Sequence, residues 1–229
     1  MSKPSYQQFC PVAMASEILC RRWTLLLLRE LVTGSTRFND LRRGLPKMSP
    51  SLLSQRLKEL EEVGLIIKQA MNDQHDTYEY HLSESGKDIQ SVLHAVGVWG
   101  QKWVKAGAAL ENVDPRLLMW DMRRCINPEP LPDRRIVVQF YYPEVADGKQ
   151  KWWLEIDRQG RVDLCWSDPG YEIDLIVETD LQTMTSVWMG LTSIKEQRDK
   201  IKMMGSKQLA KTIQTWLGLS PFAKYEKLA

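Results

Sequence analysis

Ser49-Pro50, with leucines following at 53, 57 and 60, constrains this chain more than any other feature. Serine supplies an N-cap oxygen, and proline suits the first helical position because its missing N–H has no partner there; Met48 and Leu53 fit a hydrophobic staple across the cap. At about 100° per residue, Leu53, Leu57 and Leu60 share one stripe. Ser51, Gln55, Lys58 and Glu62 fall opposite, with Ser54 beside them. A helix from this segment buries leucine and presents a polar row.

The residues around it extend the pattern. Phe38, Leu41 and Leu45 recur at i, i+3, i+7, leave Arg42 and Arg43 outside, and end at Pro46, which predicts a short preceding helix. Downstream, Gly64 can cap the second helix, and strand-like runs over 66–70 and 77–82 flank Asn72-Asp73-Gln74-His75-Asp76. Two helices, a tight turn and a hairpin make a winged helix-turn-helix. In that arrangement Ser49, Ser51, Ser54 and Gln55 suit contact with base edges in duplex DNA. Arg37, Arg42, Arg43, Lys47, Arg56 and Lys58 suit phosphates, and Asn72, Gln74 and His75 would form the wing tip. The plainer alternative is a set of solvated helix faces, or a helix-turn-helix used for docking another protein. Charge favours DNA: residues 21–70 hold ten Lys or Arg and five Asp or Glu, a net of +5 in a chain whose total is +2.

After Ser83 a long helix is expected to about Ala106. Ile89, Val92, Val96, Trp99 and Trp103 are spaced 3, 4, 3, 4 along it, an a/d seam that suits a partner helix, although over two heptads the pattern fits packing within the chain as well; a single winged helix makes few DNA contacts, which favours pairing. We therefore expect a homodimer, with Pro11 to Leu19 and Trp23 to Val32 completing the core of an N-terminal domain over residues 1–107. No stretch approaches the length of a membrane span and the N-terminus carries no signal pattern, so the expected location is cytoplasmic. The four cysteines form no C-x-x-C pair and share no ligand spacing with His75, His81 or His94, which argues against a metal site. Cys20, Cys125 and Cys165 read as small buried hydrophobes, whereas Cys10, beside Pro11 before the first helix, is placed for oxidation.

Beyond residues 107–115 strands replace helices. β-rich runs at 136–142, 152–157, 162–167 and 172–178 are separated by turn material, and suggest an antiparallel meander. Helices are expected over 180–189, 193–198 and 207–217, with a short strand at 201–204. The second domain, 114–229, is thus α+β, with helices on one side of a sheet. Its tryptophans and methionines, Trp153, Trp166, Trp188 and Met184 among them, suit either a plain core or a pocket for an apolar ligand. No nucleophile-base arrangement, phosphate loop or cofactor motif is present, so neither an enzyme nor a cofactor is expected.

Cys10-Pro11-Val12, Arg22-Trp23-Thr24, Leu28-Arg29-Glu30-Leu31, Arg37-Phe38-Asn39-Asp40-Leu41, Ser49-Pro50, the run Leu53 to Leu60, Gly64-Leu65 and Tyr80 to Gly86 together resemble the HxlR family of winged-helix transcriptional regulators. The resemblance implies a recognition helix within Ser49 to Lys58, a wing at Asn72 to Asp76, and a dimer built by the N-terminal and long helices, including Ile89 through Trp103. Where that family has Gly-Gly-Lys before the tryptophan, Cys20-Arg21-Arg22 stands here. Some members sense oxidants through the cysteine before the proline, which implies such a role for Cys10. From about Asp114 onward the chain resembles the sterol-carrier-protein-like fold on Asp174 to Val177, Thr179-Asp180-Leu181, Met189-Gly190 and Ile201 to Ser206. That second resemblance implies a small apolar effector that would alter the dimer's grip on DNA.

Overall fold

The computed structural model describes residues 5–71, 77–105, 107, 110 and 113–228. It divides into two compact units, Met1–Val96 and Gly97–Ala229.

The first unit runs α1 (Pro11–Leu19), α2 (Thr24–Val32), α3 (Phe38–Gly44), α4 (Pro50–Glu62), β1 (Ile66–Ala70), β2 (Tyr78–Leu82) and then α5 (Glu84–Trp103), which continues past Val96. The leucine stripe of α4 is fully buried, with Leu53, Leu57 and Leu60 at 0–2% exposure. Each such side chain contributes on the order of 2 kcal/mol by leaving water. They meet Leu27, Leu28 and Leu31 of α2 and Leu41 of α3 in a single core, to which Met48 also belongs. The sequence placed α1 in this core, but none of its residues is buried. Only its last residue, Leu19, packs against the core from the edge.

The start of α5 shows why Ser83-Glu84-Ser85-Gly86 takes the form it does. The Ser83 hydroxyl accepts from the Gly86 N–H at 3.1 Å, as an N-cap does, and itself donates to the Gly64 carbonyl at 2.6 Å. Ser85 donates to the same carbonyl at 3.0 Å, and the Ser83 N–H donates to the Leu65 carbonyl at 3.1 Å. Gly86 lies against that backbone: a Cβ there would sit 2.0 Å from the Leu65 oxygen. Glycine is what lets α5 dock on the turn between α4 and β1.

In the second unit α6 (Pro115–Arg124) leads into β3 (Ile136–Tyr141), β4 (Lys151–Ile156), β5 (Val162–Cys165), β6 (Leu175–Glu178), α7 (Leu181–Trp188), β7 (Lys202–Gly205), α8 (Lys207–Lys211) and α9 (Ile213–Trp216). The strand order is β5-β4-β3-β6-β7. The sheet is mixed, not the antiparallel meander expected: β6 lies parallel to β3, with Val138 opposite Leu175 and Phe140 opposite Val177. Alternation told which residues share a face but not which edge each strand would take. After β5 the chain crosses to the free edge of β3, and Asp174 secures it there. Its carboxylate accepts from the Val137 N–H at 2.9 Å and from the Arg134 guanidinium, its N–H donates to the Val137 carbonyl, and its own carbonyl accepts from the Ser206 N–H.

Leu118, Met119 and Met122 of α6 and Leu181, Met184 and Val187 of α7 cover the sheet face formed by Val138, Phe140, Trp152, Leu154, Leu175 and Val177. Asp180 caps α7 as its sequence suggested, accepting from the Thr183 N–H at 2.7 Å. Two local expectations fail. Residues 193–198 form turns, and 207–217 breaks into two short helices at Thr212, whose φ is −100°. The Trp216 indole N–H donates across that break to the Leu209 carbonyl at 2.9 Å, replacing helical bonds with a tertiary one. The last turns of α5 belong to this unit because the C-terminal residues hold them. Phe222 packs on Gly97, and the Lys227 ammonium donates to the Gln101 and Val104 carbonyls left open at the helix end.

Candidate nucleic-acid interface

The angle between α3 and its neighbours is set from inside. Glu30 of α2 is fully buried, and its carboxylate takes the Arg29 guanidinium at 2.7 Å and the Ser35 hydroxyl at 3.3 Å. It lies against Gly44, where a Cβ would come 1.9 Å from its oxygen, so the end of α3 is seated on a paired buried charge. Residues 45–49 then turn the chain into α4. Ser49 accepts from the Leu52 N–H at 3.3 Å, and its hydroxyl lies 3.2 Å from that of Ser51.

The outward row of α4 carries Ser51, Ser54, Gln55 and Lys58, all exposed. Ser49 is exposed too, although capping occupies its oxygen. Arg42 and Lys47, which precede α4 in the chain, are exposed and make no ion pair among the described residues. Arg43 pairs with Asp40 at 3.0 Å, Arg37 with Glu79 at 3.4 Å, and Lys58 lies 4.0 Å from Glu62. Such exposed pairs are worth about 0–1 kcal/mol each, so a phosphate can displace the carboxylate. Arg56 stands apart from the other five. Its side chain is 13% exposed and turned onto Glu59 of the same helix, a position that suits a structural tie better than a phosphate contact.

The hairpin pairs from Ile66–Leu82 to Ala70–Tyr78 and is joined to the entry of α3: the Tyr80 N–H donates to the Thr36 carbonyl at 2.8 Å, and Arg37 bridges Glu79. The wing-tip residues Asn72, Gln74 and His75 lie outside the described residues. Sequence reasoning missed Lys68, whose ammonium sits 3.8 Å from the centre of the Tyr78 ring on the paired strand. Its position in a strand leading to the wing was the available signal.

Residues 18–108 match the HxlR-like helix-turn-helix family. The HTH-type transcriptional regulator YvaP of Bacillus subtilis is 34% identical over 98 residues, a match spanning 42% of this chain and 91% of YvaP. The chain belongs to the HxlR-like helix-turn-helix family. The HTH-type transcriptional regulator Mb3122 of Mycobacterium bovis is 33% identical over 136 residues, covering 53% of this chain and 85% of its own. Among solved structures, the reduced form of the transcriptional regulator YodB from B. subtilis is 28% identical, covers 44% of this chain and 99% of that one, and gives a TM-score of 0.39.

Within this HxlR-like region, the long-helix seam divides. Ile89 packs against the core, whereas Val92, Val96, Trp99 and Trp103 are exposed at 42%, 47%, 61% and 52%. Exposed branched and indole side chains recurring along one helix form an apolar stripe in water. Near the N-terminus Phe9, Val12 and Met14 are exposed as well. Cys10 is exposed, and the backbone N–H groups of Ala13 and then Val12 at the start of α1 hold its thiol below the ordinary range. Cys20, expected to be buried, is also exposed, because it follows a helix that buries nothing. Burial raises Cys125 and Cys165.

The four residues offered for an apolar pocket are not brought to one place. Met184 is in the core between sheet and helices, and Trp188 packs at its margin. Trp153 follows Trp152 on β4, so the pleat turns it to the opposite face, where it is 6% exposed. Trp166 is half exposed beyond β5, its ring edge-on to Trp152 at 6.4 Å.

Proposed function

We propose that the chain is a homodimeric, sequence-specific regulator of transcription that reads duplex DNA with α4. The observation that carries the reading is the exposed polar row of α4, Ser51, Ser54, Gln55 and Lys58, held on a buried leucine stripe, in a unit that also exposes Arg37, Arg42, Arg43 and Lys47. Ser51, Ser54 and Gln55 read base edges, Ser49 fixes the start of the helix, and the cations take phosphates; Asn72, Gln74 and His75, outside the described residues, enter the proposal as the wing on sequence alone. Two copies meet through Val92, Val96, Trp99 and Trp103 of α5, with α1 alongside. The family membership supports the DNA-binding part, and the exposed indoles support the pairing.

The test is binding of the purified protein to its own upstream DNA against random duplex at several salt concentrations, with light scattering on the same sample. Tighter binding to the upstream fragment by a species of twice the chain mass supports the reading. Sequence-independent binding by a single chain refutes it, and absence of salt-sensitive binding points instead to a docking module.

The second unit belongs to the proposal as an effector domain of sterol-carrier-like type. Methionines from both covering helices, Met119, Met122 and Met184, lie against the sheet, and such side chains repack around an apolar guest. Because Trp153 faces away, the guest would meet Met184 and Trp188. An effector has to change operator affinity, so the measurement is the operator Kd with and without a long-chain fatty acid; an unchanged Kd removes that guest class from the proposal. A thiol-switch reading is favoured by the exposure and lowered pKa of Cys10. It is tested by whether Cys10→Ser abolishes an oxidant-induced loss of binding.

A further inference from the structure

The carboxylate of Glu59 gathers three side chains. Gln55, one turn earlier on α4, donates from Nε2 to Glu59 Oε1 at 3.1 Å. Arg56 and Arg21 both donate to Oε2, Arg21 at 3.2 Å. Arg21 comes from outside α4: its Nε also donates at 3.1 Å to the Glu17 carbonyl in the last turn of α1. Burial works against charge on Glu59, but the hydrogen bonds from Gln55, Arg56 and Arg21 outweigh it and hold the carboxyl below the usual range.

An ionised carboxylate only accepts hydrogen bonds, so it fixes which end of the Gln55 amide faces it. Nε2 must turn inward. The amide oxygen and the second N–H are left outward together, which is the acceptor-donor pair that matches the N6 and N7 edge of adenine. A free glutamine side chain gives up rotamer freedom when it is ordered, and here part of that ordering precedes contact. The arginines meanwhile engage the other carboxylate oxygen, so the acid neither seeks a base itself nor stands unpaired beside phosphates.

We infer that Glu59 is a positioning residue for sequence readout: it orients the Gln55 amide toward adenine and, through Arg21, ties that orientation to the end of α1. The inference rests on the reading of α4 as the recognition helix. It is tested by selecting from a randomised duplex library with the full-length protein and with Gln55→Ala, Glu59→Ala, Glu59→Gln and the Gln55→Ala/Glu59→Ala double variant. The expected wild-type motif contains an adenine whose preference Gln55→Ala erases. Glu59→Ala should reduce preference at that same position by about ten-fold, leave the other positions unchanged, and add nothing in the double variant. Glu59→Gln, which keeps the size of the side chain but offers an amide that can face Gln55 either way, should fall between.

If Glu59→Ala and Glu59→Gln keep the adenine preference that Gln55→Ala erases, or weaken all sequences equally, the positioning role is overturned and the recognition helix stands. If Gln55→Ala leaves the motif unchanged, or the wild type selects none, the reading of α4 falls and this inference with it.

Discussion

Gly86→Ala is the sharpest structural test of the first unit. The new methyl carbon would lie 2.0 Å from the Leu65 carbonyl oxygen and 3.2 Å from a Leu82 methyl. A relaxed carbon-oxygen contact is about 3.3 Å, so roughly 1.3 Å of separation has to be found between α5 and the turn before β1. The obstacle is backbone, and it is fastened by the Ser83 N–H to Leu65 bond and by two hydroxyls on the neighbouring Gly64 carbonyl. Overpacking of this kind costs about 2 kcal/mol and a weakened hydrogen bond about 1 kcal/mol more, against about 1 kcal/mol gained by alanine in a helix. The net loss is about 2 kcal/mol. For a unit of this size that lowers the melting midpoint by about 10 °C. Gly100→Ala is the control in the same helix, because a Cβ there meets nothing within 4 Å and only the gain, up to about 1 kcal/mol, remains. Calorimetry at fixed protein concentration compares them. A Gly86→Ala protein that melts at or above the wild-type temperature would refute the reasoning.

Other expectations concern the surface. Arg42→Ala and Lys47→Ala should weaken binding to every duplex alike and each lower the slope of log K against log salt by about 0.9; sequence-selective losses would contradict the phosphate assignment. Trp99→Lys should shift the light-scattering mass to that of one chain while circular dichroism stays unchanged, and an unchanged mass excludes α5 as the seam. In alkylation by iodoacetamide near neutral pH, Cys10 should react before Cys125 and Cys165, since it is exposed and its pKa is lowered while burial raises theirs; mass spectrometry reads the order. The Glu59 pKa is lowered by folding, so its contribution is fully present above the unfolded carboxylate range and is lost as pH falls through the folded value. Glu59→Gln should therefore flatten the acid limb of a stability-pH profile, and an identical limb in the variant would assign that loss to other carboxylates.

Local sequence determined the helix-turn-helix almost completely. Ser49-Pro50 sets the start of α4, the leucine spacing sets its buried side, and Asp180 likewise sets the start of α7, because caps and periodicity act within one or two turns of the backbone. It also determined that Val92, Val96, Trp99 and Trp103 share a stripe. What it did not determine is what that stripe and the other side chains meet. The pleat of β4 sends Trp153 away from Met184, the break at Thr212 exchanges helical bonds for the Trp216 contact, and β6 joins β3 in parallel because Asp174 fastens it to the free edge. Arg56 looked like any cation on a polar face until its pairing with Glu59 turned it inward. The Asp174 contacts reach 37 and 40 residues back along the chain and Arg21 meets Glu59 across 38, while the nearer contacts of Trp216 and Arg56 depend on how the surrounding surface is packed, so only the folded chain brings these groups within range of one another.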